Sequence, residues 1–136
     1  MTYRVISDAL RAFAFCLKYI SITRTKQQKG ICLMKGDEVI AAAVYDEYNG
    51  QNIFVHLAGK PGRKWLNREF LKWGFDYPFN QLGVKRLTAW VHADNLESVR
   101  FVEHIGFRRE ATLEKAGPGG VDVYIFVMFR EECRYV

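Results

Sequence analysis

The spacing of apolar positions changes several times along the 136 residues, and each change predicts an element. Leu10, Phe13, Ala14, Leu17 and Ile20 recur at three and four, which predicts an amphipathic helix over 8–20 with Ser7 or Asp8 as its cap. Residues 21–29 are polar and basic and read as an exposed connection, either a plain solvated linker or a loop that guides a substrate. From Gly30 the period falls to two. ICLMKGDEVIAAAVYDEY is split at Lys35, Gly36 and Asp37 into two apolar runs, the mark of a hairpin, and a turn at Asn49 and Gly50 leads into a third strand, NIFVHLAG. A helical pattern returns over 63–81, with Leu66, Phe70, Trp73 and Tyr77 on one face. Pro78 is expected to kink or end it near Tyr77, unless a last turn through Gln81 continues beyond a bend, and Gly83 is the stop.

The next stretch, RLTAWVHADNLESVRFVEHIGF, organises the remainder. Leu87, Ala89 and Val91 alternate with Thr88, Trp90 and His92 as in a strand buried on at least one face. Asp94 and Glu97 then have the spacing of a capping box, so a helix is expected to begin at Asp94. Asn95, Ser98, Val99, Val102 and Ile105 fall on one arc of it, opposite Glu97, Arg100, Glu103 and His104. Gly106 ends the helix and Phe107 folds back on it. Two strands follow, within 107–117 and 121–132, joined by a turn at Pro118, Gly119 and Gly120. The second is apolar on both faces and is expected to be buried. One domain spanning 1–136 suits a chain of this size.

Composition narrows the class. At 49% hydrophobic and 15% aromatic residues the chain is globular. Cys16, Cys32 and Cys133 are odd in number, far apart and without a partner at ligand spacing, which argues against a metal site or a disulfide framework and fits a reducing cytoplasm. The start, MTYRVISDALRAF, lacks a signal pattern, and no run reaches about 18 apolar residues, so neither export nor a membrane span is indicated. The net charge of +5 invites an anionic partner. A basic solvated surface needs no further explanation, and nucleic acid is disfavoured because the basic residues neither form a long run nor alternate with aromatics.

The order N-x-x-S at Asn95 and Ser98, followed by Gly106-Phe107 after a strand, closely resembles the acetyl-CoA-binding end of the GNAT N-acetyltransferases. The pattern looks most like the short members found in phages and prophages, with some likeness to the ribosomal-protein acetyltransferases. The resemblance covers roughly residues 30–130 and is most specific over 86–107. It implies an α/β (α+β) GNAT fold, a central, mostly antiparallel twisted sheet with helices on both faces, splayed near 55–59 and 90–94 to admit acetyl-CoA. It further implies transfer of the acetyl group to a primary amine of a protein or small molecule, without a metal or a covalent enzyme intermediate, by a monomer or homodimer.

The family's phosphate loop, Q/R-x-x-G-x-G/A, maps onto 59–64. Gly59 stands at the Gln/Arg position and Lys64 at the final small position, so only Gly62 matches well. Lys60, Arg63 and Lys64 offer charge in place of close backbone approach, and an ordinary basic helix start remains the alternative. Leu57 and Trp65 flank this loop as further cofactor contacts. Asn95 is expected at the pantetheine arm or acetyl region, or simply as a turn residue. Ser98 either packs or donates to a phosphate, and Arg100 either meets the 3′-phosphate or is solvated.

Amine acetylation requires a base for the ammonium, a polarised thioester carbonyl and a proton for the thiolate. Many family members carry a tyrosine acid four residues before the glycine of G-F, where this chain has Val102. His56 is the first candidate base, on the strand where the family often puts one, because a histidine changes charge near neutral pH. His92 and Glu47 follow. Val102 and the altered loop also suit a catalytically silent acyl-CoA-binding or protein-binding module, and a nucleic-acid-binding protein is a third reading, carried by charge alone.

Overall fold

The computed structural model describes residues 2–63 and 65–136. Among these, seven strands form one sheet in the order β1-β2-β3-β4-β5-β7-β6. They are β1 (Tyr3–Ser7), β2 (Lys29–Lys35), β3 (Glu38–Asp46), β4 (Asn52–Gly59), β5 (Arg86–His92), β6 (Arg108–Leu113) and β7 (Val123–Phe129), with helices α1 (Ala9–Leu17), α2 (Arg68–Asp76) and α3 (Leu96–His104). Every neighbouring pair is antiparallel except β4–β5. The hairpin about Gly36, the turn before β4, the strand at 86–92 and the buried β7 lie where the pattern put them. β1 was not anticipated. It is a short edge strand, exposed over much of its length, that pairs with β2 from Tyr3↔Lys35 to Ser7↔Ile31.

Asp8 caps α1 by accepting from the Arg11 amide at 3.0 Å. The buried face of this helix differs from the expected one. Ala12, Phe15 and Cys16 turn inward, while Leu10 is 67% exposed and Leu17 is exposed as well. The cause is close approach. A Cβ on Gly30 of β2 would stand 2.6 Å from the Ala12 Cβ, so the helix settles on its small residues and leaves its leucines outside. With Cys32, Met34, Ala42, Val44 and Ala58 it makes the core on one sheet face. Burial pushes the Cys16 thiol up to about 12 and Cys32 to about 11, so both are protonated packing groups at neutral pH.

The larger core lies on the other face, where α2 and α3 cover Tyr45, Val55, Leu87 and Phe126. α2 begins later than its apolar pattern suggested, because Asn67 caps it by accepting from the Phe70 amide at 2.9 Å. It buries Phe70, Leu71 and Phe75, and leaves Leu66 and Trp73, both expected inside, substantially exposed. Pro78 does not end the helix. It opens a π-helical turn, Tyr77–Gln81, closed by the Leu82 amide on the Tyr77 carbonyl. Proline has no amide for the carbonyl four residues back, which belongs to Gly74. That carbonyl instead accepts from the buried Tyr45 hydroxyl at 2.6 Å, which ties the kinked helix to the middle of the sheet.

Tyr45→Phe is therefore expected to cost about 1–3 kcal/mol, because the Gly74 carbonyl loses its donor and Pro78 cannot replace it. Equilibrium urea unfolding checks this: the midpoint should fall with an unchanged slope.

Candidate active site

β4 and β5 run side by side only from Asn52↔Arg86 to Val55↔Ala89. Beyond that point the strands part, and their facing backbone edges have no ladder partner. A cavity of about 440 Å³ passes through the gap. Alternation sends side chains into it from both sides of the sheet. His56, Trp90 and His92 come from the α1 side, and Val55, Leu57, Ala89 and Val91 from the side of α2 and α3. The expected splay at 55–59 and 90–94 thus corresponds to a real parting of the strands.

His56 is half-buried in this cavity and its Nε2 lies 3.0 Å from Asp46 Oδ1. Sequence reasoning did not single out Asp46. The two strands pair Val44↔His56 and Asp46↔Phe54, so Asp46 and His56 are diagonal neighbours on one face. Asp46 is only 8% exposed. Burial raises its carboxyl, but hydrogen bonds from His56 and Gln28 and the charge of His56 outweigh that and hold it below the usual range. Gln28 Nε2 donates to Asp46 Oδ2 at 3.0 Å and to the Thr23 carbonyl at 2.7 Å, while Arg24 donates to Gln28 Oε1 at 2.9 Å. The connection expected to be exposed therefore contains a buried glutamine that completes the carboxylate's coordination. In the neutral tautomer that donates from Nε2 to this carboxylate, Nδ1 is the nitrogen with a free lone pair.

The other candidates fall at different places. His92 is half-buried and lines the same cavity. Glu47 is exposed at its rim with a positive φ of 59°. Leu57, Trp65, Asn95, Ser98 and Val102 also line it. Asn95, rather than Asp94, is the α3 cap: its side-chain oxygen accepts from the Ser98 amide at 3.2 Å and its carbonyl from Val99 at 3.0 Å. The expected Asp94–Glu97 box is displaced by one residue because asparagine caps as well as aspartate. At the far end the Phe107 amide reaches the Val102 carbonyl and the Gly106 amide the Glu103 carbonyl, a Schellman stop with Gly106 at φ 113°. Val102 is 1% exposed, with no proton to give. Arg100 is exposed on the outer side of α3.

The basic loop after β4 has an internal counter-ion. Lys60 and Arg63 both pair with Glu38 at the start of β3, Arg63 at 3.0 Å and 3.1 Å from its two oxygens. The hydrogen bonds from Lys60 and Arg63 lower the Glu38 carboxyl. Gly62, at φ 74°, has open space where a side chain would project, and it lies well before the first turn of α2. Lys64, expected to contact phosphate, lies outside the described residues. Trp65 is 5% exposed and stacks on Phe101 of α3 with ring centroids 3.8 Å apart. Its indole lies against Gly59, where an added Cβ would stand 2.2 Å from the ring. The tryptophan thus forms a wall between the end of β4 and α3. Among the described residues no group of three or more His, Cys, Asp or Glu side chains is placed to hold a metal ion.

No family model matches the chain. An uncharacterized N-acetyltransferase p20 from Bacillus licheniformis is 25% identical over 120 residues, which span 83% of this chain and 67% of that protein. A mutant form of the Vibrio cholerae spermidine N-acetyltransferase SpeG superposes with a TM-score of 0.76 at 14% identity, over 98% of this chain and 96% of the other. A GNAT-family acetyltransferase from Bacillus anthracis gives 0.64 at 23% identity, over 78% and 68%. In sequence and in fold the chain is similar to these N-acetyltransferases. Its α/β architecture, with a mostly antiparallel sheet opened at one parallel pair, is the GNAT fold. Among the described residues no helix is long and apolar enough to cross a membrane.

Within this site, Asp46→Asn gives a pH-dependent stability test. A carboxyl held below its unfolded value of about 3.9 stabilises the fold above that pH and loses its contribution as pH falls through the depressed folded value. The stability gap between wild type and Asp46→Asn should accordingly be widest near neutral pH and narrow in steps from about pH 5 to pH 3, as read by urea unfolding at each pH.

Proposed function

We propose that the protein transfers an acetyl group from acetyl-CoA to a primary amine by direct attack. The observation that carries this reading is the Asp46–His56 pair inside a cavity that crosses the sheet where β4 and β5 part. An extended, amide-bearing arm suits that gap, because the unpaired edges beyond Val55 and Ala89 offer it N–H and C=O groups in the manner of an added strand. Acetyl-CoA brings an acyl group activated on sulfur. Leu57 and Trp65 form the apolar walls, and the Asn95 amide nitrogen, not used by the cap, is available to the acyl carbonyl or the arm. Gly62 leaves room at the basic loop for a phosphate, with Lys60 and Arg63 exchanging Glu38 for that phosphate.

His56 accepts the amine's proton at Nδ1 while Asp46 holds the ring and stabilises its charged form. The new C–N bond forms as the C–S bond breaks, and the thiolate takes up a proton. With valine at 102, Ser98, one helical turn earlier on the same face and lining the same cavity, is the nearest hydroxyl on α3 to hold a water for that step. His92 and Glu47 assist at the rim.

Acetyl-CoA at about a hundredfold over its dissociation constant should stabilise the fold by roughly 2.7 kcal/mol, read as a rise in melting temperature. His56→Ala should lower turnover by about 10²–10⁴-fold with acetyl-CoA affinity nearly unchanged. The broad test is incubation of labelled acetyl-CoA with the protein and a panel of peptides, polyamines and cell extract, followed by mass spectrometry. The buried Val102 supports a second reading, a silent acyl-CoA-binding module. Cofactor binding without enzyme-dependent product from about pH 7 to 9, a range that spans deprotonation of weakly basic amines, would favour it.

A further inference from the structure

A second cavity, of about 650 Å³, adjoins the first and shares Thr25, Asp46 and Glu47 with it. Its character is different. Beyond the two carboxylates its wall carries Lys26, Lys29, Tyr48 and Tyr77, a set of ammonium and hydroxyl donors. Neither lysine forms an ion pair with any described residue. Tyr48 and Tyr77 stand near each other; burial, and after it the neighbouring Tyr48, raises the Tyr77 hydroxyl above its ordinary value, so it remains a donor. The strand geometry explains the arrangement. Lys29 lies opposite Tyr45 in the β2–β3 ladder and Tyr77 packs edge-on against the Tyr45 ring, so the donors gather around the end of β3 where Asp46 and Glu47 stand. Glu47 marks the junction of the two cavities, in a left-handed conformation (φ 59°) that a non-glycine residue rarely adopts.

The space leading to His56 is thus electrically divided, with carboxylates where a cationic amine would enter and free cations with hydroxyls a little farther on. We propose that the acceptor is a primary amine whose own molecule bears an anionic group, a carboxylate or a phosphate, with the amine directed to His56 and the anion seated on Lys26 and Lys29. A polyamine would instead set a second ammonium against two lysines, and like charges disfavour that placement. The proposal rests on the acetyl-transfer reading and narrows its acceptor.

The test compares 4-aminobutanoate, O-phosphoethanolamine, butylamine and 1,4-diaminobutane as acceptors, by acetyl-CoA-dependent thiol release. At least one of the anion-bearing amines should exceed the diamine in kcat/KM by about tenfold or more, the size expected of one charge-assisted contact. The carboxylate and phosphate arms show which anion is taken. The double variant Lys26→Glu/Lys29→Glu should reverse the order while leaving acetyl-CoA affinity unchanged. Calorimetry with the CoA-saturated protein reads the same preference without turnover: the anion-bearing amine should bind wild type and lose binding in the double variant. A diamine preferred over both anionic amines, or an order and binding indifferent to the charge reversal, overturns the proposal. Either result leaves acetyl transfer itself intact, whereas absence of acetyl-CoA binding and of any product overturns the transfer reading.

Discussion

The site depends on one interruption of backbone hydrogen bonding. A parallel pair inside an otherwise antiparallel sheet has to diverge if anything is to pass between its strands, and here β4 and β5 part after Val55 and Ala89. The cost of unpaired strand edges is tolerable only where water or a ligand meets them. Everything needed to hold the gap open is packed around it. α3 buries Ser98, Val99 and Val102 against the sheet, Trp65 wedges between Gly59 and Phe101, and the Tyr45–Gly74 bond fixes α2 over the neighbouring strands. The opening is therefore framed by the packing of the fold itself.

Because alternate residues of a strand face opposite ways, the gap joins two chemically distinct surfaces. The side under α2 and α3 contributes Val55, Leu57, Ala89 and Val91, apolar walls suited to a long flexible arm. The other side contributes His56 and its buried carboxylate. A period of two in the sequence thus becomes a separation of apolar walls from an imidazole–carboxylate pair across the thickness of one sheet. The charge on the surface is similarly apportioned: Glu38 pairs with Lys60 and Arg63, while among the described residues no carboxylate forms an ion pair with Lys26 or Lys29.

Much of this was legible in the pattern of residues. The hairpin, the strand at 86–92, the buried face of α3 and its glycine stop follow from local rules that act within a few residues, and the N-x-x-S and G-F spacing carried the resemblance to the GNAT fold. The errors arose where long-range packing overrode periodicity. Leu10 and Leu17 complete a regular apolar stripe, yet Gly30 admits the smaller Ala12 and Cys16 instead. Leu66 and Trp73 likewise gave way to Leu71 and Phe75 once Asn67 set the start of α2. Asp46 was missed because its relation to His56 depends on the β3–β4 register, and a slip of one residue would have turned the aspartate to the opposite face. The same holds for Glu38, distant in sequence from the loop whose charges it neutralises. His56 could be singled out from the strand it occupies and its chemistry, but its contact with Asp46 required the ladder.

The glutamine that completes the Asp46 coordination has one more consequence. Gln28 uses both hydrogens of its amide, one on the carboxylate and one on the Thr23 carbonyl, so the orientation of the Asp46–His56 pair and the closure of the segment over it are a single event. Any fluctuation that lifts residues 23–28 from the sheet also strips the carboxylate of a donor and frees the imidazole to rotate. The segment and the dyad then form one cooperative opening unit, less stable than the global fold. Heat or mild denaturant is then expected to release His56 from its carboxylate under gentler conditions than unfold the sheet, so the two losses should follow separate curves.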